Sequence, residues 1–436
     1  MTEAAPRRAP WWRRRIRAAW LGRLACAAWP ACDLLLPKRG DQWAFFTHPV
    51  KRGQFVENAR AVFEQVKRDP SIRKRVFTRG GEPALGLEDA VATEVVELGS
   101  LAGLWALARC GVLLLTNSVP LDLRLEWDGG RHGHPRPALR RRTVVNLWHG
   151  IPLKALFALA NPGQRRHGDR DPHRRRERRH YRGLVASSDA DRHAMAAIFH
   201  PIHPDRVWAT GLPRNDFLLA PEDGLPAPMR AELARVRALR RGRRLVLYAP
   251  TYRDSTAGDG RCYEFSHAEA ARLRAVLQRH GAVMGVRMHY LRRDGEAPFG
   301  LERHLDGELL VDAGHAVAGE LAPVLREASV VVTDYSSVYI DALYRDLPVL
   351  GFAWDLDDYR TRQNGLLYDL ALAFPGPVAT GFDAFLNALD RQLAARDWAP
   401  DAAYRTVQRL FFNRRDTGNA RRVVERIRGA LDGGPE

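Results

Sequence analysis

The chain of 436 residues carries 68 lysines and arginines against 51 acidic residues, a formal charge of +17, with 45% hydrophobic content. Such a length holds two or three domains with full cores, and the composition excludes a disordered or fibrous chain. The excess positive charge implies a partner bearing negative charge: phospholipid headgroups, a polyphosphate polymer, nucleotides or nucleic acid.

The N-terminal segment, residues 1–40, interleaves Trp11, Trp12, Ile16, Trp20, Leu21, Leu24 and Trp29 with Arg13, Arg14, Arg15, Arg17 and Arg23. That pattern suits a basic amphipathic helix on an anionic inner-membrane surface, and equally a helix docked on its own protein. Arg17, Arg23 and Asp33 interrupt the apolar run, so neither a secretion signal nor the roughly 20 residues of a membrane span is formed. Cys26, Cys32, Cys110 and Cys262 show no CxxC pairing, which points to reduced thiols at the cytoplasmic side of the membrane.

From Gln42 onward, short apolar runs alternate with helical periodicity. WAFFTH reads as a strand, and Phe55 to Lys67 as a helix with Ala59, Val62, Phe63 and Val66 on one face; RVFTR, GVLLLT and TVVNLW are further strands. Residues 164–182 are a charge run that must be a solvated loop or exposed helix. GLVASS and TGLPRND follow, and Pro221 to Pro228 is the best linker in the chain. It divides an expected first α/β domain, 41–225, from a second, 226–436. In the second, RRLVLYAPTYR, AVMGVRMHY, GELLVDA and SVVVTDYSS read as four strands, and a last helix, Asn419 to Ala430, is expected to pack back across the boundary. Two doubly wound, mainly parallel sheets facing a cleft result, with ligands expected at the carboxyl ends of the strands.

The residues able to carry chemistry sit at those ends. His149 follows TVVNLW directly, held between Trp148 and the Gly150-Ile151-Pro152 turn and close in sequence to Lys154; a neutral imidazole there accepts a hydroxyl proton. His289 ends a strand of the second domain, with Arg287 two residues back on the same face, and Arg253 ends its neighbour. Arginine beside histidine suits a pyrophosphate. The run Ser329 to Thr333 forms a strand stopping at Asp334, so Ser336 and Ser337 fall at the cap and first turn of a helix through Val338, Asp341, Ala342 and Arg345, and Pro348 to Gly351 restarts a strand. No P-loop, GxGxxG, HExxH or paired-carboxylate motif appears. A transferase acting on a nucleotide diphosphate, with neither metal nor cofactor, is the expectation.

At these residues the sequence resembles the CDP-glycerol glycerophosphotransferases of teichoic-acid synthesis. The matching pieces run in family order: GQFVENARAVFE from Gly53, NLWHGIPLK from Asn146, TGLPRND from Thr210, YAPTYR from Tyr248, RMH from Arg287, TDYSSVYIDAL from Thr333, LPVLGFAWDLDDY from Leu347, PGPV from Pro375 and DTGNA from Asp416. The resemblance implies a GT-B-like α/β fold. It implies CDP-glycerol bound mainly by the C-terminal half, and a lipid-linked acceptor or polyol-phosphate polymer received by the N-terminal half. It makes His149 the base on the acceptor hydroxyl and His289 a second essential histidine at the donor diphosphate. Arg253, Arg287, Ser336, Ser337, Asp334 and Asp341 become donor contacts, and Lys154, Trp148 and Arg214 acceptor-side residues. Ile151, Tyr290 and Gln363-Asn364-Gly365 depart from the family's usual threonine, proline and arginine-glycine pair. Two enzymatic alternatives stay open, a nucleotide-sugar glycosyltransferase of the same fold and a CDP-ribitol-using phosphotransferase. A polyanion binder is the third, although no recognition helix or zinc-finger spacing marks a specific nucleic-acid partner.

Overall fold

The computed structural model describes residues 10–51, 53–80, 85–162, 171–251, 262–288, 298–363, 365–395 and 397–433. The chain forms two compact units, one of residues 1–149, 179–184 and 421–436, the other of residues 150–178 and 185–420. Among the described residues, nine strands precede residue 210: β1 (Arg39–Phe46), β2 (Arg73–Thr78), β3 (Thr93–Glu97), β4 (Cys110–Leu115), β5 (Leu125–Glu126), β6 (His132–Gly133), β7 (Thr143–Asn146), β8 (Tyr181–Ala186) and β9 (Val207–Ala209). β5 and β6 make a small antiparallel ribbon, and the other seven form a sheet in the order β3-β2-β1-β4-β7-β8-β9. Its pairs from β3 to β8 are parallel, with Phe45 opposite Val76 and Leu114 opposite Val145. Every residue of β4 is buried, as an inner parallel strand covered on both faces requires.

In the second unit, β10 (Arg244–Tyr248), β11 (Ala282–Val286), β12 (Leu310–Asp312), β13 (Ala328–Thr333), β14 (Val349–Phe352) and β15 (Val378–Ala379) form a parallel sheet in the order β12-β11-β10-β13-β14-β15. The helices His267–Arg279 and Phe382–Ala394 cover one face, closing a core with Leu273, Leu277, Met284, Val330, Phe352, Phe385 and Leu389 all nearly inaccessible.

The strands read from apolar runs are present, and β3, β5, β6, β9 and β15 escaped notice. In β3 only Val96 is buried, so no apolar run marks it, and β15 has two residues. The strands ending YAPTYR and RMHY close earlier than expected, at Tyr248 and Val286. Residue 225, the expected boundary, lies inside the second unit. The stretch around it is pinned: Leu225 is buried, and Arg237 bonds Glu222 and Glu327, each at 2.8 Å. Of the charge run, 171–178 forms a helix whose Arg174 and Arg178 lie over the Phe157 ring at 4.6 and 4.4 Å; residues 163–170 lie outside the described residues. Residues 421–436 fold with the first unit, burying Val423 and Ile427.

The N-terminal segment presents two different faces, one docked on its own protein and one exposed. Its helix, Ala19–Leu35, buries Gly22, Trp29 and Asp33, and the Trp29 indole donates to the Leu104 carbonyl at 2.8 Å. The other face leaves Trp20, Leu24 and Leu35 exposed by 68, 60 and 84%. Among the described residues no helix is long and apolar enough to cross a membrane. Asp33 is the anchor of the buried face. Its carboxylate takes a bidentate bond from Arg142, with both side chains fully buried, plus one from Lys38 at 3.1 Å and one from the Ala138 amide at 2.7 Å. Burial by itself would raise the Asp33 pKa, but the Arg142 and Ala138 bonds hold it below the usual carboxylate range. Losing the charge strands two buried cations, so Asp33→Asn is expected to destabilise the first unit by about 3–5 kcal/mol, measured by urea denaturation.

A second buried polar group closes the turn after β1. His48 Nδ1 accepts from the Val50 and Lys51 amides at 3.1 and 2.9 Å, which requires that nitrogen to be unprotonated. Burial lowers its pKa to about 4, with Glu57 opposing the shift. The unfolded chain therefore takes up this proton first, near pH 6.5, and the stability contributed by the neutral ring, complete above that pH, is lost as pH falls through 4. The expected contribution to the slope is about 3 kcal/mol between pH 6.5 and 4. Stability curves of the wild type and His48→Gln, measured by denaturation across that range, should converge towards the acid end; parallel curves would contradict it.

Candidate active site

At the carboxyl edge of the first sheet, β7 stops at Asn146 and the chain turns sharply. Trp148 adopts a left-handed backbone conformation, φ 53°, which a bulky residue accepts only when its surroundings impose it. The surroundings are amide side chains. Asn146 Oδ1 accepts from the Trp148 amide at 2.8 Å while its Nδ2 donates to the Asn117 carbonyl and Tyr181 hydroxyl. From the helix Glu57–Val66, buried Asn58 donates to the carbonyls of Leu147 and Trp148 at 3.0 and 2.9 Å.

This turn presents a half-buried His149 whose ring lies 3.9 Å from the Trp148 ring between centroids. Its Nδ1 stands 3.2 Å from the Thr116 carbonyl oxygen. A carbonyl can only accept, so Nδ1 carries the hydrogen, and Nε2 is the nitrogen that holds the lone pair whenever the ring is neutral. Thr116 is itself fixed: its amide donates to the fully buried carboxylate of Asp122 at 2.9 Å, which also accepts the Asn117 amide at 2.8 Å. Nearby, Glu57 holds a left-handed φ of 61° and its buried carboxylate takes the Lys51 ammonium at 2.8 Å. Asn58, Asp122 and His48 were missed as contributors to this site; ENARAVFE contains Asn58, but nothing in its spacing assigns it a task.

In the second unit, Asp334 ends β13 as a buried carboxylate whose Oδ1 accepts from the amides of Thr251 and Tyr335 at 2.8 and 2.6 Å. Through Oδ1 it ties the ends of β10 and β13. Ser337 is the N-terminal flanking residue of the short helix Val338–Leu343, but its side chain makes no capping bond; Ser336 Oγ faces the Val338 amide at 3.4 Å. Arg214, expected on the acceptor side, donates to Asp341, expected on the donor side, at 2.7 Å. Both belong to one group with Gly150: a methyl there would touch Arg214 Nη2 at 3.5 Å and Ser337 Oγ at 3.6 Å.

Arg287 is buried, and its Nη1 donates to the carbonyls of Ala313 and Ala318 at 2.9 and 2.8 Å. Its Nη1 holds the 313–319 loop, while Nη2 faces His315 Nδ1 at 3.3 Å. Lys154 pairs with Leu366 in an isolated bridge, and neighbouring backbone bonds join Ala155 to Gly365 and Leu367 to Leu153. The loop that departs from the family pattern is thereby fastened to the segment after His149: Asn161 donates to the Gln363 carbonyl, and Gly365 has a φ of 79°. Arg253, His289 and Tyr290 lie outside the described residues, as does Asn364. Among the described residues no three His, Cys, Asp or Glu side chains gather to hold a metal.

Comparison with known proteins agrees with these features. The chain is 24% identical over 408 residues to the teichoic acid poly(glycerol phosphate) polymerase of Bacillus spizizenii, covering 91% of this chain and 94% of that protein. It is 24% identical over 250 residues to the teichoic acid ribitol-phosphate polymerase TarK of Staphylococcus aureus, covering 57% of this chain and 46% of that one, so it spans less than half the length of that relative. A solved structure of the wall teichoic acid polymerase TagF, soaked with CDPG, superposes with a TM-score of 0.68 at 18% identity over 95% of both chains, which establishes the GT-B-like α/β fold. The family model for CDP-glycerol:poly(glycerophosphate) glycerophosphotransferase matches residues 32–429, and the chain belongs to that family.

Proposed function

We propose that this protein transfers glycerol phosphate from CDP-glycerol to a hydroxyl of a membrane-linked acceptor or growing phosphopolymer, releasing CMP. The observation that carries the reading is the orientation of His149: Nδ1 donates to the Thr116 carbonyl, so in the neutral ring Nε2 is the proton acceptor. The acceptor oxygen attacks the β-phosphorus of CDP-glycerol as His149 takes its proton; the bond from that phosphorus to the CMP oxygen breaks, and CMP departs with the electron pair. Charge developing on the phosphoryl oxygens is met by cations and polar groups of the C-terminal half. In this reading Arg253 and His289 contact the diphosphate, Ser336 and Ser337 offer hydroxyls and amides, and Arg287 shapes the loop beside them. Asp341 orients Arg214, and Trp148 and Lys154 hold the turn that carries the base. Exposed Trp20, Leu24 and Leu35, flanked by arginines, supply a peripheral contact with an anionic membrane surface.

His149→Ala is expected to lower turnover about 10² to 10⁴-fold while CDP-glycerol binding, followed by calorimetry, stays close to wild type. Joint loss of binding and turnover in a folded variant would remove His149 from the role of base. Donor identity is tested separately. Offered CDP-glycerol, CDP-ribitol and UDP-glucose with a lipid-linked acceptor, the protein should release CMP from CDP-glycerol well ahead of CDP-ribitol, and no UDP. Preferential release from CDP-ribitol would move the chain to the ribitol-using branch.

A further inference from the structure

The arginines of the N-terminal segment do more than decorate a membrane-facing helix. Arg13, Arg14, Arg15 and Arg17 line a cavity of about 1220 Å³ together with Arg79 and Arg124. Against these six guanidiniums stand three carboxylates, Glu97, Glu126 and Asp128, leaving a net positive lining. Glu97 is partly neutralised by the amides of Gly80 and Gly99 at 2.6 and 3.2 Å, which tilts the balance further. The segment is seated there by its own backbone: the Ile16 amide donates to the Gly99 carbonyl at 2.9 Å, and the Asp128 amide to the Arg17 carbonyl at 3.0 Å. Arg14 and Arg17 remain exposed, and the Arg15 guanidinium donates to the Glu126 carbonyl.

The cavity also has a place relative to the base, all within the first unit. Arg79, directly after β2, donates to the Thr47 and Asp122 carbonyls. Asp122 accepts from the Thr116 amide, and the Thr116 carbonyl faces His149. One arginine of the cavity wall is thus separated from the base by two residues of a single hydrogen-bonded chain, at the strand ends where open α/β sheets bind ligands.

Resting on the transferase reading above, we propose that this cavity binds the phosphate groups of the acceptor, phosphodiester or diphosphate, behind the hydroxyl that His149 deprotonates. Arg15 and Arg79 are held by carbonyls of the wall, so the guanidinium forks of Arg13, Arg14, Arg17 and Arg124 are those that match phosphate oxygens bidentately, and a cavity of this size accepts more than one phosphate. The N-terminal arginines thereby act as acceptor ligands, and the acceptor's charge, not its hydroxyl alone, places it.

The test uses the full chain and the double variant Arg14→Ser, Arg17→Ser, whose exposed positions leave the fold intact, with Arg124→Ser as a second variant. A water-soluble glycerol-phosphate oligomer serves as anionic acceptor and glycerol as neutral acceptor. The double variant should raise KM for the oligomer about tenfold or more, leaving KM for CDP-glycerol and the rate with glycerol unchanged. Direct calorimetric binding of the oligomer should weaken in parallel and fall steeply with salt in the wild type. An unchanged oligomer KM, or equal losses with oligomer and glycerol, would overturn the proposal. So would variants that lose only sedimentation with phosphatidylglycerol vesicles, which would hand the cavity to lipid headgroups. If the wild type binds the oligomer through these arginines yet transfers nothing from CDP-glycerol, the cavity assignment stands and the transferase reading falls.

Discussion

A parallel sheet ends in turns whose amides and carbonyls have lost their ladder partners, and in this protein buried carboxylate and carboxamide side chains meet that demand. Asn146, Asn58 and Asp122 do so in the first unit, Asp334 in the second. An unsatisfied buried amide or carbonyl costs about 1–3 kcal/mol, comparable with the strain of a left-handed Trp148, so the bonds are strong enough to impose that conformation. The side chain that the turn exposes is then fixed in direction as well as position. His149 depends on this: one hydrogen bond to a carbonyl orders its tautomer, and that carbonyl is ordered by an aspartate that never touches the reacting groups.

The same demand explains why residues near the site divide into two kinds. Asp334 and Arg287 sit where ligand-binding residues were expected, and one polar atom of each, Asp334 Oδ1 and Arg287 Nη1, is engaged by two backbone groups. A buried arginine bonded to two carbonyls cannot turn to a phosphate without leaving those acceptors unsatisfied. Its influence on a ligand passes through the loop it holds.

Much of the fold was legible because the signal was physical. Runs such as GVLLLT and SVVVT are what a strand buried on both faces must contain, and both are strands. The edge strand TEVVE, with one buried residue, carries no such run. Residue 225 looked like a boundary because PEDGLPAP has linker composition, but Leu225 supplies an apolar anchor and Arg237 ties the stretch down, and composition does not record either contact. For the site, placing His149 at a strand end followed from TVVNLWHG alone. The role of Asn58, 90 residues away in sequence from Trp148, did not, since no local pattern reveals which carbonyls an asparagine will meet after folding. The Arg214–Asp341 pair, 127 residues apart, was hidden in the same way, and its two members were assigned to opposite substrates.

The N-terminal segment shows how one composition serves two physical ends. Tryptophan and arginine interleave there, but Trp11 to Arg17 lie ahead of the helix Ala19–Leu35, which itself carries Trp20, Arg23 and Trp29. Asp33 decides the orientation. A fully buried carboxylate with a bidentate arginine partner admits one rotation of the helix about its axis, because any other leaves an ion without its counter-ion in the interior. Once that rotation is set, Trp20, Leu24 and Leu35 must face outward, while the chain before the helix runs along the sheet edge through the Ile16 and Arg17 backbone bonds. A charge that would be a defect in a membrane-spanning helix is thus what directs the apolar face outward and the arginines preceding the helix to the cavity beside Arg79.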